Sequence, residues 1–388
     1  MESNTVLIGR VIGKATNIVF KAKLSPSSLI RPGNLYTIIQ KNGEKYVGML
    51  RSVESSENYI IGKFTIIGEP PTLPFFPGDP IYELDKETLE KRLKLDTNNF
   101  GKVFLGFLRG TKFKILVDIE KLLRYHFSIF AKTGAGKTYL ASVIVEDLMN
   151  YHVPILIIDP HGEYNSLRYL RDLGLSSFAR DIYVFDEADK KKFQELINDR
   201  KTIIFDLRGK KPREQSQILC ELVDYFFYLA KNRKILPFLL LVEEAHNFAP
   251  ERSFGYAPST ESLRTVASEG RKFGLSLCLI SQRPARVDKS VLSQIGTQFI
   301  LQMTDKRDIE AVIKSAEGLN REYFPLIQTL NIGEAVISGR IVEYPLIVKV
   351  RERTTFHGNF SSFKFISPQI SKQNETKNNK ISKRFKSR

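Results

Sequence analysis

Short apolar runs with alternating polar positions dominate the first 85 residues of the chain. Turn signals such as Arg31-Pro32-Gly33-Asn34 and Lys41-Asn42-Gly43 separate these runs. A series of short strands at this spacing is typical of a small β-barrel. The pattern predicts strands over Val6–Ile12, Ile18–Phe20, Leu35–Ile39, Tyr46–Leu50, Tyr59–Ile67 and Pro80–Tyr82.

From about residue 120 the pattern changes, and continuous apolar runs alternate with segments of helical periodicity. Such alternation predicts βαβ units around a mainly parallel sheet. The predicted helices are Lys137–Tyr151, Glu214–Ala230, Thr260–Lys272 and Asp305–Ser315. The predicted strands are Phe127–Phe130, Ile155–Ile158, Ile182–Val184, Thr202–Asp206, Phe238–Val242, Leu275–Ile280, Gln298–Leu301, Glu334–Ser338 and Pro345–Val350.

These patterns divide the chain into four parts and predict an α/β fold. We expect a β-barrel at residues 1–85, a connecting segment at 86–119, the α/β core at 120–360 and a tail at 361–388. The tail is rich in Ser, Lys and Asn and contains eight basic residues against one acidic residue. A segment with so little apolar content cannot bury a core, so we expect it to be disordered.

Composition narrows the class of protein. No apolar run approaches the ~20 residues of a membrane span, and the N-terminus lacks the basic start and apolar stretch of a signal peptide. Cys220 and Cys278 are too few for a disulfide framework, so we expect a cytoplasmic protein without membrane contact. The net charge of +16 favours polyanionic partners such as nucleic acid, because neutralised phosphates release their counterions.

A glycine-rich turn connects the predicted strand at 127–130 to the helix that follows it. Its residues fit the spacing of a P-loop, with an alanine where the first glycine is usual: Ala131, Lys132, Thr133, Gly134, Ala135, Gly136, Lys137 and Thr138. The two glycines allow backbone N–H groups to turn toward a β-phosphate, Lys137 would reach the β- and γ-phosphates, and Thr138 would ligate Mg²⁺. The sequence therefore predicts ATP and Mg²⁺ as cofactors of a RecA-like P-loop core.

The buried strand at 238–242 ends in two carboxylates, Glu243 and Glu244. Successive side chains of a strand point to opposite sides, so the two residues can take different roles. We assign Glu243 to the Mg²⁺ shell and Glu244 to the general base that polarises the attacking water.

Other candidates also lie near strand ends. Asp159 and Glu163 follow the strand after the P-loop helix, and strand ends of a parallel sheet line the ligand crevice. Both are therefore expected to border the nucleotide. Gln282, at the tip of the strand beside the Glu243 strand, is the candidate sensor of the γ-phosphate. Arg271 is the first candidate, and Arg264 the second, for an arginine that stabilises phosphoryl transfer in a neighbouring subunit.

Together these segments resemble a HerA-type ATPase of the HerA–FtsK superfamily. Besides the P-loop, the resemblance rests on Asp159-Pro-His-Gly-Glu-Tyr164, Val242-Glu-Glu-Ala-His-Asn-Phe-Ala-Pro250, Glu269-Gly-Arg-Lys-Phe-Gly274 and Ser281-Gln-Arg-Pro284. It implies a homohexameric ring that threads double-stranded DNA and acts beside a NurA-type nuclease in DNA-end processing and repair. It also implies nucleotide or catalytic roles for Lys137, Thr138, Asp159, Glu244 and Arg271, and the sensor role for Gln282.

The sequence leaves two other functions open. One is a related ring motor that moves another substrate, as secretion and packaging ATPases do. The other is an interaction protein that uses nucleotide binding as a switch, although intact Lys137 and Glu244 argue against it. Stimulation of ATP turnover by DNA would separate the first function from both alternatives.

Overall fold

The computed structural model describes residues 6–27, 29–56, 59–93, 100–170 and 174–356. These residues form a closed β-barrel followed by a large sheet with helices on both faces. In these ranges, no helix is long and apolar enough to cross a lipid bilayer. The predicted tail at 361–388 lies outside the described residues.

Six antiparallel strands form the barrel: β1 (Leu7–Ile12), β2 (Val19–Leu24), β3 (Leu35–Ile39), β4 (Lys45–Ser56), β5 (Tyr59–Ile67) and β6 (Pro80–Glu83). They close in the order β1-β2-β5-β4-β3-β6. Because alternate residues of each strand face inward, the interior fills with side chains, including the rings of Phe20 and Phe64, which stack with centroids 5.3 Å apart. The expected N-terminal barrel is confirmed.

The large sheet has eleven strands within the described residues. They are β7 (Lys102–Leu108), β8 (Lys114–Asp118), β9 (Phe127–Phe130), β10 (Ile155–Asp159), β11 (Ile182–Phe185), β12 (Thr202–Asp206), β13 (Phe238–Val242), β14 (Leu275–Ser281), β15 (Thr297–Ile300), β16 (Glu334–Gly339) and β17 (Leu346–Val350). Their order is β11-β12-β10-β13-β14-β9-β15-β16-β17-β7-β8. The pairs from β11 to β15 are parallel and the later pairs antiparallel, which confirms the mainly parallel core.

Helices connect these strands and cover the sheet. They are α1 (Lys86–Leu93), α2 (Ile119–Arg124), α3 (Lys137–Asn150), α4 (Lys190–Asn198), α5 (Pro212–Lys231), α6 (Ala245–Phe248), α7 (Ser259–Glu269), α8 (Lys289–Leu292), α9 (Lys306–Ser315) and α10 (Tyr323–Gln328). Ile157 of β10 packs in the same cluster as Leu140 and Ile144 of α3. Its neighbour Ile158 packs in another cluster with Leu219 of α5. Both faces of the strand are therefore buried, which explains its uninterrupted apolar sequence.

The segment at 86–119 is more than the connection predicted from the sequence. Strands β7 and β8 form a hairpin that extends the sheet, because β7 pairs with β17. The inward residues Val103, Leu105, Ile115 and Val117 are buried in the same cluster as α3. The hairpin thereby covers an edge of β17 that would otherwise leave backbone groups unpaired.

Ion pairs attach the barrel to the sheet. Glu334, the first residue of β16, accepts two hydrogen bonds from Arg31 of the barrel at 2.7 and 2.9 Å. Arg109, which follows β7, lies 3.6 Å from the same carboxylate and donates to the side chain of Asn34. Burial lowers the pKa of Arg109 to about 10, while Glu334 opposes the shift. Gly33 has a φ of 87°, and a Cβ there would meet the Arg109 guanidinium. The joint thus requires both a counter-charge and a glycine.

We expect Glu334→Gln to lower the free energy of unfolding by about 3 kcal/mol, because it leaves the buried Arg109 charge without its partner. Denaturant unfolding measures the change. The control is Glu317→Gln, whose pair with Arg340 is exposed and should contribute less than about 1 kcal/mol. Equal losses in the two variants would contradict a dominant role for the buried pair.

Candidate active site

The P-loop lies at the C-terminal ends of the parallel strands. Strand β9 lies between β14 and β15, and α3 begins at Lys137. Gly134 and Gly136 have φ angles of 77° and 102°, a region that residues with a Cβ rarely occupy. Ala131 is fully buried, and its backbone is outside the left-handed region, so a residue with a Cβ fits this position without strain. The alanine that departs from the usual motif is therefore compatible with the turn.

A cavity of about 450 Å³ opens in front of this loop. The P-loop forms one side of it. Side chains from three other strand ends and from the segment after β17 complete the lining, namely His161, Glu163, Ser166, Glu244, Gln282 and Arg353. The structure thus brings most of the sequence-predicted residues to a single cleft.

Glu243 lies beneath the cleft rather than in it. Its carboxylate is fully buried, contacts the Lys137 ammonium, and accepts a hydrogen bond of 2.6 Å from the Tyr164 hydroxyl. Burial raises the pKa of Glu243 to about 7, and the contacts with Lys137 and Tyr164 oppose the shift. Burial acts to lower the pKa of Lys137, but the two carboxylates, Glu243 and Glu244, raise it above its ordinary value. Lys137 is therefore charged at neutral pH.

Glu244 follows in a strained conformation and forms part of the cleft lining. Its φ of 52° places a side-chain-bearing residue in the left-handed region, and strain of this kind is concentrated at functional sites. One carboxylate oxygen lies 3.2 Å from the Lys137 ammonium. The other lies 3.2 Å from Nδ1 of His246 but makes no hydrogen bond within the described part of the chain. Glu244 therefore presents an acceptor with unused capacity.

Asp159, the last residue of β10, and Glu163, in the turn after it, occupy different places. Asp159 is fully buried, and its oxygens accept hydrogen bonds from four backbone N–H groups, those of His161, Gly162, Glu163 and Tyr164. It shapes the turn and does not line the cleft. Glu163 does line the cleft, and it accepts a hydrogen bond of 2.5 Å from the Thr138 hydroxyl. Glu163 therefore borders the cleft, and Asp159 holds the backbone that positions it.

A hydroxyl and a carboxylate side by side are the hard oxygen donors that Mg²⁺ prefers. Thr138 and Glu163 provide this pair in the cleft. Among the described residues, no group of three or more His, Cys, Asp or Glu side chains is placed to hold a metal alone. The residues present therefore fit an ion that enters together with phosphate oxygens.

Gln282 and the two candidate arginines occupy different places. Gln282 lies in the cleft and accepts a hydrogen bond from the Thr133 hydroxyl. Arg264 is held by Asp288 at 2.6 Å and Glu261 at 3.0 Å. Arg271 lies in the turn before β14, at the N-terminal ends of the parallel strands, whereas the P-loop lies at their C-terminal ends. Neither arginine lines the cleft of its own chain.

Several residues of the site were absent from the sequence-based predictions, among them Tyr164, His246 and Arg353. Tyr164 supports Glu243, His246 stands beside Glu244, and Arg353 closes the cleft from the segment after β17. The first two lie inside motifs that were recognised, so their position next to the acidic residues was an available signal. Arg353 carried no such signal.

Comparisons with known proteins identify relatives of this chain. The family model for the central domain of helicase HerA matches residues 103–272. The chain is 32% identical to the DNA double-strand break repair helicase HerA of Pyrococcus furiosus, over 88% of this chain and 92% of that protein. It is 24% identical to the probable DNA double-strand break repair helicase HerA of Methanocaldococcus jannaschii, over 88% and 94%. Among solved structures, VirB4 of Thermoanaerobacter pseudethanolicus matches with a TM-score of 0.46 and 16% identity, over 66% of this chain and 98% of that chain.

The buried position of Glu243 generates a pH-dependent prediction. Tyr164→Phe removes a donor to the ionised carboxylate, so it should raise the pKa of Glu243 further above 7. The loss of unfolding free energy should be about 2 kcal/mol at pH 9, where the carboxylate is ionised, and smaller at pH 6, where it is protonated. Denaturant unfolding in a metal chelator measures both values.

The control for this experiment is Tyr36→Phe. The Tyr36 hydroxyl donates to the backbone carbonyl of Leu29 at 2.7 Å, and that acceptor does not titrate. Its loss should therefore be the same at both pH values. A pH-independent loss in Tyr164→Phe as well would contradict the raised pKa of Glu243.

Proposed function

The chain belongs to the HerA family of helicases and is an ATPase, and on that premise we propose that it assembles into a hexameric ring that moves along double-stranded DNA. Membership of the family confirms the resemblance seen in the motifs. One observation carries the hydrolytic part of the proposal, namely that Lys137, Thr138 and Glu244 meet in one cleft. These residues combine phosphate binding with an available base.

In this proposal each residue has a distinct task. Lys137 turns from the two carboxylates to the β- and γ-phosphates of ATP, and Glu244 accepts the proton of the attacking water. Gln282, at the tip of β14, orients that water or senses the γ-phosphate. Thr138 and Glu163 would hold Mg²⁺, which would neutralise phosphate charge when bound. Glu243 would become a further ligand of the ion once Lys137 has turned away from it.

The net charge of the chain and its similarity to known helicases support DNA as the substrate that is moved. The net charge of +16 favours a polyanion, and the matched relatives are named as DNA double-strand break repair helicases. DNA-end processing beside a NurA-type nuclease, which the resemblance of the motifs implies, is the setting that we propose for the ring. The barrel, whose described residues contribute nothing to the cleft lining, is the proposed part for assembly or partner docking.

The proposal is tested by the rate of ATP hydrolysis with and without linear duplex DNA. We expect a several-fold increase at low salt that declines as salt rises, because phosphate contacts release counterions. Lys137→Ala, which should not retain ATP, is the control for contaminating activity. A rate of ATP hydrolysis that is unchanged by DNA would favour a motor for another substrate. ATP binding without hydrolysis would favour a nucleotide-dependent interaction protein.

The position of Arg271 supports a role across a subunit boundary. Strands β9 and β14 are parallel, so the turn before β14 and the P-loop after β9 lie at opposite ends of these strands. Arg271 is exposed and makes no hydrogen bond or ion pair within the described residues. It lines a second cavity together with Arg124 and Arg200. A guanidinium in this place can reach the phosphates of a neighbouring subunit, where it would stabilise the transferring phosphoryl group.

We expect Glu244→Gln to bind ATP but to hydrolyse it at less than about a tenth of the parent rate, a barrier increase of at least about 1.4 kcal/mol. Arg271→Ala should also bind ATP and lose about 10³-fold in turnover. Mixed rings of the two variants should recover part of the activity, because some interfaces pair an intact Glu244 with an intact Arg271. Steady-state ATPase assays on the mixture measure the recovery.

Arg264→Ala is the matched control in this mixing experiment. Its guanidinium is held by Asp288 and Glu261 of its own chain, so its loss should not be complemented by Glu244→Gln. Absence of recovery with Arg271→Ala, in rings shown by mass to contain both variants, would contradict the action of Arg271 in a neighbouring subunit.

A further inference from the structure

The segment after the last strand forms a strap across the P-loop helix. We define the strap as residues 351–356. Glu146 of α3 holds it, since its carboxylate accepts hydrogen bonds from the backbone N–H groups of Thr354 and Thr355 at 3.1 and 2.9 Å. The Thr355 hydroxyl donates to the same carboxylate at 2.6 Å. The strap is therefore fixed to α3 by a carboxylate that is 1% exposed.

The charges under the strap balance one another. Arg351 lies 3.1 Å from Glu146 and 2.9 Å from Asp147, and Arg353 lies 3.8 Å from Glu146. Two carboxylates thus face two guanidinium groups. Because the cluster is neutral, it does not require an additional anion such as a phosphate group. Its arginines can still donate hydrogen bonds to uncharged oxygen or nitrogen acceptors.

Only one of the two arginines reaches the nucleotide cleft. Arg353 lines the cavity, whereas Arg351 does not. The Arg353 side chain is 2% exposed. Its guanidinium donates to the Thr355 hydroxyl at 2.6 Å and to the Ser166 hydroxyl at 3.4 Å, while its backbone N–H donates to the Tyr139 hydroxyl at 2.8 Å. These contacts hold the planar group in one orientation at the wall of the cleft.

Hydrogen bonds between the residues that line the cleft show at which end of the cleft Arg353 lies. Thr133 pairs with Gln282, Thr138 pairs with Glu163, and Tyr139 follows one residue later beside Ser166 and Arg353. The lining therefore runs from Gln282, through the P-loop lysine and threonine, to the strap. A triphosphate whose γ-phosphate lies near Glu244 and Gln282 has its nucleoside at the strap end.

We infer that Arg353 binds the nucleoside half of ATP, by donating hydrogen bonds to ribose or base acceptors, and so makes the cleft a site for nucleotides rather than for polyphosphate. This inference rests on the proposed ATPase function of the same cleft. Ser166 and Thr355 orient the guanidinium, and Glu146 supplies its counter-charge. A strap residue thereby completes a site whose other residues come from the ends of the sheet strands.

The experiment compares two ligands on two matched variants. Binding of ATP and of inorganic tripolyphosphate, each with Mg²⁺, is measured by calorimetry on the full chain. Arg353→Lys keeps the charge but loses the planar donor group, and we expect it to weaken ATP binding about tenfold while tripolyphosphate binding is unchanged. Arg351→Lys makes the same exchange in the same strap outside the cleft, and we expect it to leave the affinities for both ligands unchanged.

Each result decides between the inference and its alternatives. Equal weakening of ATP and tripolyphosphate by Arg353→Lys would overturn it, as would unchanged ATP binding. A parent protein that binds neither ligand would overturn the proposed ATPase cleft itself. If Arg353→Lys does not fold, Thr355→Val serves as the second variant, because it removes the acceptor that orients the guanidinium. We expect Thr355→Val also to weaken ATP binding selectively, and its failure to do so would overturn the inference.

Discussion

The buried carboxylate of Glu243, through its contacts with the Lys137 ammonium and the Tyr164 hydroxyl, joins three of the segments that form the cleft. Lys137 belongs to the P-loop, Glu243 follows β13, and Tyr164, which donates to the same carboxylate, comes from the turn after β10. A charge inside a sheet is costly without partners. The need to satisfy this one carboxylate therefore fixes the positions of all three segments relative to one another.

In the proposed function, the contact between Lys137 and Glu243 couples nucleotide binding to the charge of the site. Phosphates that attract Lys137 leave Glu243 with the Tyr164 hydroxyl as its remaining partner. A carboxylate in that position either takes up a proton or attracts a cation beside it. Burial has already raised its pKa to about 7, so neither response requires a large further change.

The parts of this structure that local pattern determines could be predicted, and the parts that depend on distant partners could not. The strands at 127–130 and 202–206 follow directly from apolar runs with clear boundaries. The β7–β8 hairpin is local and was overlooked, whereas its place in the large sheet depends on the pairing of β7 with β17, which lies far along the chain. A strand-end carboxylate such as Asp159 can equally well line a crevice or hold its own turn, and only the four backbone contacts distinguish these cases. Arg353 reaches the cleft through a strap whose anchor, Glu146, lies on a helix near the middle of the chain.

The left-handed backbone of Glu244 has a consequence for the timing of the chemistry. Folding forces this residue into a conformation that costs of order 1–3 kcal/mol, and the surrounding sheet stabilises it there before any ligand arrives. In the role proposed for it, Glu244 therefore enters each catalytic cycle with its backbone already in the conformation that the fold imposes. Water molecules would have to reorient around the reacting groups at every turnover, whereas the backbone of Glu244 is oriented once, when the chain folds.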